Sequence, residues 1–245
     1  MICYVPMGRM GNGLFQAAAC IALALRNGVE FSMPSQTSNP FWSPLILQHL
    51  VNPNYQQGRA DIVIEEPHFH YAPIQYNKEW NNRQVVLKGY FQSEKHFIDF
   101  KDEVIKLFNF PYEFNEGLVS VHLRRTDFIE LSNKHPIVSD DWYFKAMEMF
   151  PDKKFMIFSD DIPYCKKAFG HREDCFFSEG NTIEQDLISM ANCEHNILSA
   201  STFAWWAGYL NKNENKKIIL PQSWFTPNWD NADVSDIVPE NWIKL

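Results

Sequence analysis

Two adjacent arginines beside an aspartate form the most reactive grouping in this chain. In Val-Ser-Val-His-Leu-Arg-Arg-Thr-Asp, residues 119 to 127, an apolar strand pattern stops and delivers Arg124, Arg125 and Asp127. A guanidinium is a planar fork of donors that matches phosphate oxygens two at a time and keeps its charge at any working pH. The pair therefore reads as a phosphate clamp. Taken alone, the same string serves equally well as a surface salt-bridge cluster, so its setting has to decide.

Three further stretches carry polar groups at the ends of apolar runs. Gly8-Arg9-Met10-Gly11-Asn12-Gly13 follows a strand and opens a helical run, so backbone amides and the positive helix end face any anion there. The spacing is neither G-x-G-x-x-G nor a Walker loop, and no acidic ribose partner follows the next strand, which argues against a nucleotide kinase or a dehydrogenase. Ser159-Asp160-Asp161 invites a metal reading; the competing one makes Asp161 the cap of the next helix, with Asp140 and Asp141 capping another. Ser199-Ala200-Ser201-Thr202 joins a strand to the helix Phe203-Ala204-Trp205-Trp206, a second place where hydroxyls and amides meet at a helix start. The Trp pair reads as core before ligand platform. Glu184 and Asp186 sit near the start of a helix whose apolar face is Ile183, Leu187, Met190 and Ala191, where they also suit the macrodipole.

The elements that must position these residues alternate. Ile2 to Met7 reads as a strand, Leu14 to Leu25 as a helix closed by Asn27-Gly28, and Val29 to Met33 as the next strand. Pro34 to Asn82 is rich in Pro, Gly and aromatics with weak periodicity, and reads as loops with short elements that could shape an acceptor surface. Val85 to Tyr90 returns as a strand and Phe97 to Leu107 as a helix. From Leu118 the pattern is regular: strands at 118–123, 154–158, 175–177, 196–198 and 217–220 alternate with helices at 142–150, 164–169, 183–193 and 203–210. Such interleaving means α/β architecture with parallel sheets covered on both faces, and each polar motif falls just past a strand's carboxyl end. Two lobes without a flexible linker are expected, with a tail from 226 to 245 packing back across them.

Composition narrows the ligand. The chain has 245 residues, 45% hydrophobic and 21% charged, the balance of an ordinary soluble domain, with an aromatic surplus of 15% that suits a core or a sugar-stacking surface. A net charge of -8 argues against nucleic acid and against a basic membrane face, so an anionic ligand has to be met by a local cation cluster. Five scattered cysteines without C-x-x-C spacing indicate neither a disulfide framework nor a zinc site. No stretch reaches the roughly 20 apolar residues of a transmembrane helix, and the start Met-Ile-Cys-Tyr-Val lacks a signal-peptide pattern; a cytoplasmic location is expected.

The motif set resembles the α-1,2-fucosyltransferases, glycosyltransferase family 11, and more distantly the α-1,6- and protein O-fucosyltransferases. The family's G-x-G-N-Q-x-F-Q corresponds to Gly8 to Gln16, its H-x-R-R-x-D to His122 to Asp127, F-S-D-D to Phe158 to Asp161, and S-T-F-S-W-W-A to Ser201 to Ala207. Gly13 stands where the family usually has Gln, and Ala204 where it has Ser. The resemblance implies a GT-B-type fold, two Rossmann-like lobes facing a cleft, with residues 1–112 as the acceptor-side lobe and 113–225 as the GDP-sugar-binding lobe. It implies GDP-fucose as donor, a galactose-terminated glycan as acceptor, inversion at the anomeric carbon, and neither cofactor nor metal.

Without a metal, fixed donors have to stabilise the departing diphosphate. Arg124 is the expected β-phosphate contact, with Arg125 bracing the loop through a carboxylate such as Asp127. Ser201 and Thr202 complete the phosphate site, while His122 and Asp186 are candidates for the guanosine portion. Arg9, Gly11 and Asn12 are assigned to the fucose and phosphate end, and Asp160 to the donor site. Inversion needs a base near the acceptor hydroxyl; Asp127 and Glu130 both lie close to the clamp, the α-1,6 relatives favour Glu130, and His135 is a third option.

Overall fold

The computed structural model describes residues 1–34, 44–56, 58–229 and 233–245. The parts of the irregular segment at 35–43 and 57, and residues 230–232 of the tail, lie outside the described residues. The chain divides into two compact units, Met1–Phe110 with Ala232–Pro239, and Pro111–Asn231 with Glu240–Leu245.

The N-terminal unit is built on a three-stranded parallel sheet in the order β1 (Ile2–Tyr4), β3 (Val85–Lys88), β2 (Ile62–Glu65). Helix α1 (Met10–Asn27) follows β1 and is buried over most of its surface, as a helix apolar on all sides must be. It starts at Met10, four residues earlier than the sequence pattern suggests, so Gly11, Asn12 and Gly13 occupy its first turn rather than a loop. Gly28, at φ +63°, ends it in the left-handed conformation, its N–H reaching the Ala24 and Leu25 carbonyls. The strand expected at Val29 to Met33 reduces to one bridge between Ile2 and Phe31. Polar Glu30 and Ser32 alternate with its apolar residues, and only the edge of the short β1 is available to pair with it. Beyond a helical turn α2 (Pro44–Leu47), helix α3 (Lys101–Leu107) is shorter than expected because two 3₁₀ turns, Glu94–His96 and Ile98–Phe100, precede it.

The C-terminal unit carries a six-stranded, all-parallel sheet in the order β6 (Cys175–Phe177), β5 (Lys154–Ser159), β4 (Asn115–Leu123), β7 (Cys193–Ile197), β8 (Ile218–Leu220), β9 (Ile243–Lys244). Strand β4 starts the sheet near its middle; the chain winds outward through β5 and β6, then returns to the other side of β4 with β7. Parallel strands need crossovers. Helices α4 (Thr126–Glu130) and α5 (Asp140–Glu148) lie between β4 and β5, α6 (Ile162–Phe169) before β6, α7 (Ile183–Ala191) before β7 and α8 (Thr202–Leu210) before β8. Val119, Val121, Leu123, Phe155, Ile157 and Ile197 pack with Tyr143, Met147 and Phe169 into one core. Trp205 and Trp206 are fully buried. Strand β9, two residues long, had no period to announce it; it pairs with β8.

Candidate active site

Strand β4 is buried from Val119 to Leu123 and then releases Arg124 to the carboxyl edge of the sheet. The Arg124 side chain, 18% exposed, is held by two carboxylates: Nη2 lies 2.7 Å from Asp127 Oδ1 and Nη1 3.1 Å from Asp160 Oδ2. Asp160, at the end of neighbouring β5, also accepts the Arg125 and Thr126 backbone N–H groups at 2.9 and 3.2 Å, and the Thr126 hydroxyl. One carboxylate thus fixes both the loop and the guanidinium.

Arg125 turns elsewhere. Its guanidinium lies 3.2 Å from the centroid of the Tyr164 ring, and Nε contacts Asp161 Oδ2 at 3.4 Å. Asp161 in turn caps α6 by accepting the Tyr164 N–H, and the Tyr164 hydroxyl donates to Asp140. The carboxylate beside Arg125 is therefore Asp161 and not Asp127, which Arg124 takes. Successive residues leaving a strand point to opposite sides, and the two arginines follow that rule. Ser139, rather than Asp140 or Asp141, caps α5, leaving both acids in its first turn where the macrodipole favours them.

On the other side of β4, the chain leaves β7 through Ser199-Ala200-Ser201 and enters α8 at Thr202. Ser201 is the N-cap residue with extended backbone and no side-chain cap hydrogen bond. Ser199 Oγ is 2.8 Å from His122 Nδ1, tying the ends of β7 and β4 together. Burial, with 4% exposure, pushes the His122 imidazole down to about 4, so it stays neutral over the working range. Asp186 accepts from Ser178 Oγ at 2.7 Å, and Ser178 leaves β6, two strand spacings or about 10 Å from β4. Glu130, at the end of α4, is exposed. His135 stacks on Phe128 at 4.2 Å and 15°, with Phe225 and Trp229 at 5.4 and 5.7 Å; burial lowers its pKa.

In the N-terminal unit, Gly8 has φ +70° and leads to Arg9, the N-cap residue of α1, without a side-chain cap bond. Asn12 accepts from Gln92 at 3.0 Å. Gln16, fully buried, accepts the Met7 N–H and donates to the Gly89 carbonyl, joining the turns after β1 and β3. Glu66, not singled out by its sequence setting, accepts the Tyr90 and Phe91 N–H groups at 2.7 and 2.8 Å, and burial raises its pKa. Phe91 sits at φ +53°, a conformation those bonds help to hold. Tyr164 was equally silent in the sequence, because a stacking partner carries no local pattern. Among the described residues no group of three or more His, Cys, Asp or Glu could hold a metal ion.

The sequence model described as "Glycosyl transferase family 11" matches residues 6–245, which takes in all of these positions. The chain belongs to that family. This family 11 glycosyltransferase is 30% identical to an alpha-1,2-colitosyltransferase of Escherichia coli, over 70% of this chain and 67% of the relative. The match to the O-antigen biosynthesis glycosyltransferase WbnK of the same organism, at 29% identity, spans 54% of the chain and less than half, 45%, of that relative. Galactoside alpha-(1,2)-fucosyltransferase 1 of Oryctolagus cuniculus is 24% identical over 95% of this chain and 74% of its own length. Among solved structures, POFUT1 in complex with GDP-fucose is similar at a TM-score of 0.48 and 11% identity, over 89% of this chain and 96% of that one. No described helix of the glycosyltransferase is long and apolar enough to cross a membrane.

Proposed function

We propose that this glycosyltransferase moves L-fucose from GDP-fucose to the 2-hydroxyl of a terminal galactose, with inversion and without a metal. The observation that carries the reading is the place of Arg124. In the strand order β6-β5-β4-β7-β8-β9 the winding reverses between β4 and β7, and open α/β sheets bind their ligands at the carboxyl ends of such a pair. Arg124 ends β4, and the Ser201-Thr202 start of the nine-residue α8 follows β7. A nucleoside diphosphate suits a fixed guanidinium facing a helix N-terminus. The specificity for fucose and galactose is carried over from the relatives' names.

In the reaction the acceptor oxygen bonds to the anomeric carbon as the bond to the β-phosphate oxygen breaks, and the proton passes to a carboxylate. Charge accumulates on the leaving diphosphate, where Arg124 and the α8 start stabilise it more than they stabilise the ground state. Asp127 and Glu130 are the carboxylates assigned to the proton, and an oxocarbenium-like transition state keeps the demand on that base low. Asp160 and Asp161 are committed to amides and guanidiniums, which supports the metal-free reading. His122 and Asp186 are assigned to guanosine; a carboxylate matches the paired N–H donors of guanine. Arg125 is a positioning residue. In the same reading Arg9, Gly11 and Asn12 are assigned to substrate binding, and the protein works in the cytoplasm.

The test is incubation with GDP-fucose and lactose, lacto-N-biose or N-acetyllactosamine in EDTA. A fucosylated product that Arg124→Ala reduces at least a hundredfold supports the reading; no product and no slow GDP-fucose hydrolysis sinks it. The likeness to a colitosyltransferase favours a second reading with the same clamp and another GDP-sugar. Competition of GDP-mannose and GDP-colitose against GDP-fucose separates the two.

A further inference from the structure

We infer that His135 donates a hydrogen bond from Nε2 to the sugar of the bound donor nucleotide, and that it is not the proton acceptor of the reaction. The inference rests on the reading of Arg124 as the diphosphate contact. It starts from an asymmetry between the two ring nitrogens. Nδ1 is buried and has no hydrogen-bond partner, whereas Nε2, also without one among the described residues, is the nitrogen that reaches the surface of this half-buried residue. A neutral imidazole carries one proton, and buried N–H groups left without an acceptor are rarer than acceptors left unsatisfied. The proton therefore belongs on Nε2. Burial keeps the ring neutral near pH 7, with Lys134 and Arg124 assisting and the Asp127 charge opposing. With Nε2 already protonated and Nδ1 enclosed, neither nitrogen is placed to take a proton from the acceptor hydroxyl.

The surroundings suit a sugar. Phe128 stacks on the imidazole at 4.2 Å, and Phe225 and Trp229 stand at 5.4 and 5.7 Å, so three aromatic rings surround it. The same Phe128 ring lies 5.9 Å from the Arg124 guanidinium carbon and is therefore shared between the clamp and the imidazole. Thr226 fixes the enclosure: its N–H donates to the Lys134 carbonyl at 2.9 Å and its hydroxyl to the Asn133 carbonyl. In a nucleotide sugar a single oxygen separates the β-phosphate from the sugar ring, so a donor held by Arg124 carries its sugar to the neighbourhood of these rings. A sugar presents C–H faces together with hydroxyls, and ligand sites of that chemistry combine aromatic rings with a few placed polar groups. Arg124 then serves the diphosphate and His135 the sugar, so their effects on GDP and on a GDP-sugar separate.

The experiment is isothermal calorimetry with GDP, GDP-fucose and GDP-colitose on the full chain and on His135→Phe, His135→Asn and His135→Gln, with kcat measured beside it. Phe keeps an aromatic ring and removes both nitrogens; the Gln amide nitrogen stands as many bonds from Cβ as Nε2 does, and that of Asn as many as Nδ1. His135→Phe and His135→Asn are expected to bind GDP-fucose roughly three- to tenfold more weakly, the worth of one hydrogen bond, with GDP affinity unchanged, while His135→Gln keeps most of the GDP-fucose affinity. Equal weakening of GDP and GDP-fucose marks a structural role and overturns the inference, as does full GDP-fucose affinity in His135→Phe, or rescue by Asn in place of Gln. A loss of kcat of about a hundredfold or more with donor affinity intact makes the imidazole the base and also overturns it. The expected split with GDP-colitose but no binding of GDP-fucose leaves the role of His135 standing and defeats the fucose reading. Failure of the unaltered chain to bind any of the three defeats both.

Discussion

Acidification should destabilise this protein well before its carboxylates titrate, because each unit holds a deeply buried, neutral histidine, His122 in one and His96 in the other. His122 is 4% exposed and His96 5%, and burial brings each from an ordinary 6.5 to about 4; Arg26 lowers His96 further. Below pH 6.5 the unfolded chain binds protons that the folded chain refuses, so stability falls with pH until the folded value is reached. At pH 5, 1.5 units below the unfolded value at 1.36 kcal/mol per unit, the loss is about 2 kcal/mol per histidine, or about 4 kcal/mol for both. That is a large fraction of the 5–15 kcal/mol typical of a folded protein.

The window belongs to the histidines. Asp99, Asp174 and Glu194 have depressed values, chiefly from side-chain hydrogen bonds to Arg26, Arg172 and Lys153, so their contribution is intact above the ordinary carboxylate range and is lost only as pH falls through it. Glu66 opposes the trend: its raised value means that the folded state takes up a proton first as pH falls. It is one group against four, since burial lowers His135 and His195 as well, and backbone hydrogen bonds offset part of its own burial. Urea denaturation between about pH 7.5 and 5 measures the effect, and His122→Gln should remove about 2 kcal/mol of it. A flat stability profile over that range, or a His122→Gln variant with the full acid loss, would refute the reasoning.

Three other outcomes are expected. Arg125→Lys keeps the charge but loses the planar stack on Tyr164 and the Nε contact to Asp161; a cation–π contact of this kind is worth about 0.5–2 kcal/mol, so the melting temperature should fall while pyrophosphate affinity, read by calorimetry, changes less than in Arg124→Gln. Gly8→Ala should destabilise by about 1–3 kcal/mol, since φ is +70° and the new Cβ would lie 2.0 Å from Asn12 Nδ2; thermal unfolding checks it. Gln16→Leu removes one buried and one part-buried hydrogen bond, those to the Gly89 carbonyl and from the Met7 N–H, for a loss of about 2–4 kcal/mol by denaturant titration.

The C-terminal unit was legible because its information is local. Short apolar runs at the cores of β4, β5, β6 and β8 mark buried parallel strands, whereas β7, Cys-Glu-His-Asn-Ile, begins three residues before the expected run at 196–198. The start of α5 was displaced where capping decides, because Ser139 rather than Asp140 accepts the Trp142 N–H; α8 starts one residue early, at Thr202, without a side-chain cap bond. At α1 the glycines misled. Gly11 and Gly13 disfavour helix in isolation, but the first turn has few internal bonds to lose and burial of the remaining face outweighs propensity. Long-range facts had no local signature at all. Neither the bond from Gln16 to Gly89, the stack of Arg125 on Tyr164, nor the strand at Ile243–Lys244 could be read from neighbours in the sequence.

The same distinction explains why two identical residues in succession make different contacts. Arg124 and Arg125 share composition, position at a strand end and proximity to aspartates, so sequence can propose one as clamp and one as brace but cannot tell which carboxylate contacts each. The choice is made by β5, which supplies Asp160 to one side of the β4 exit and Asp161, through the α6 cap, to the other. A helix cap, normally a matter of local stability, here aims a guanidinium. If that is so, Asp161→Asn, which keeps the cap acceptor and removes the charge, should leave α6 folded while loosening Arg125 from its ion pair. The expected signature is a melting temperature lowered by only a few degrees together with a lower kcat, and substitution of Tyr164 by Leu should produce the same loss without adding to it. Additive losses in the double variant would show that cap and stack act separately, and that the brace is not a single unit.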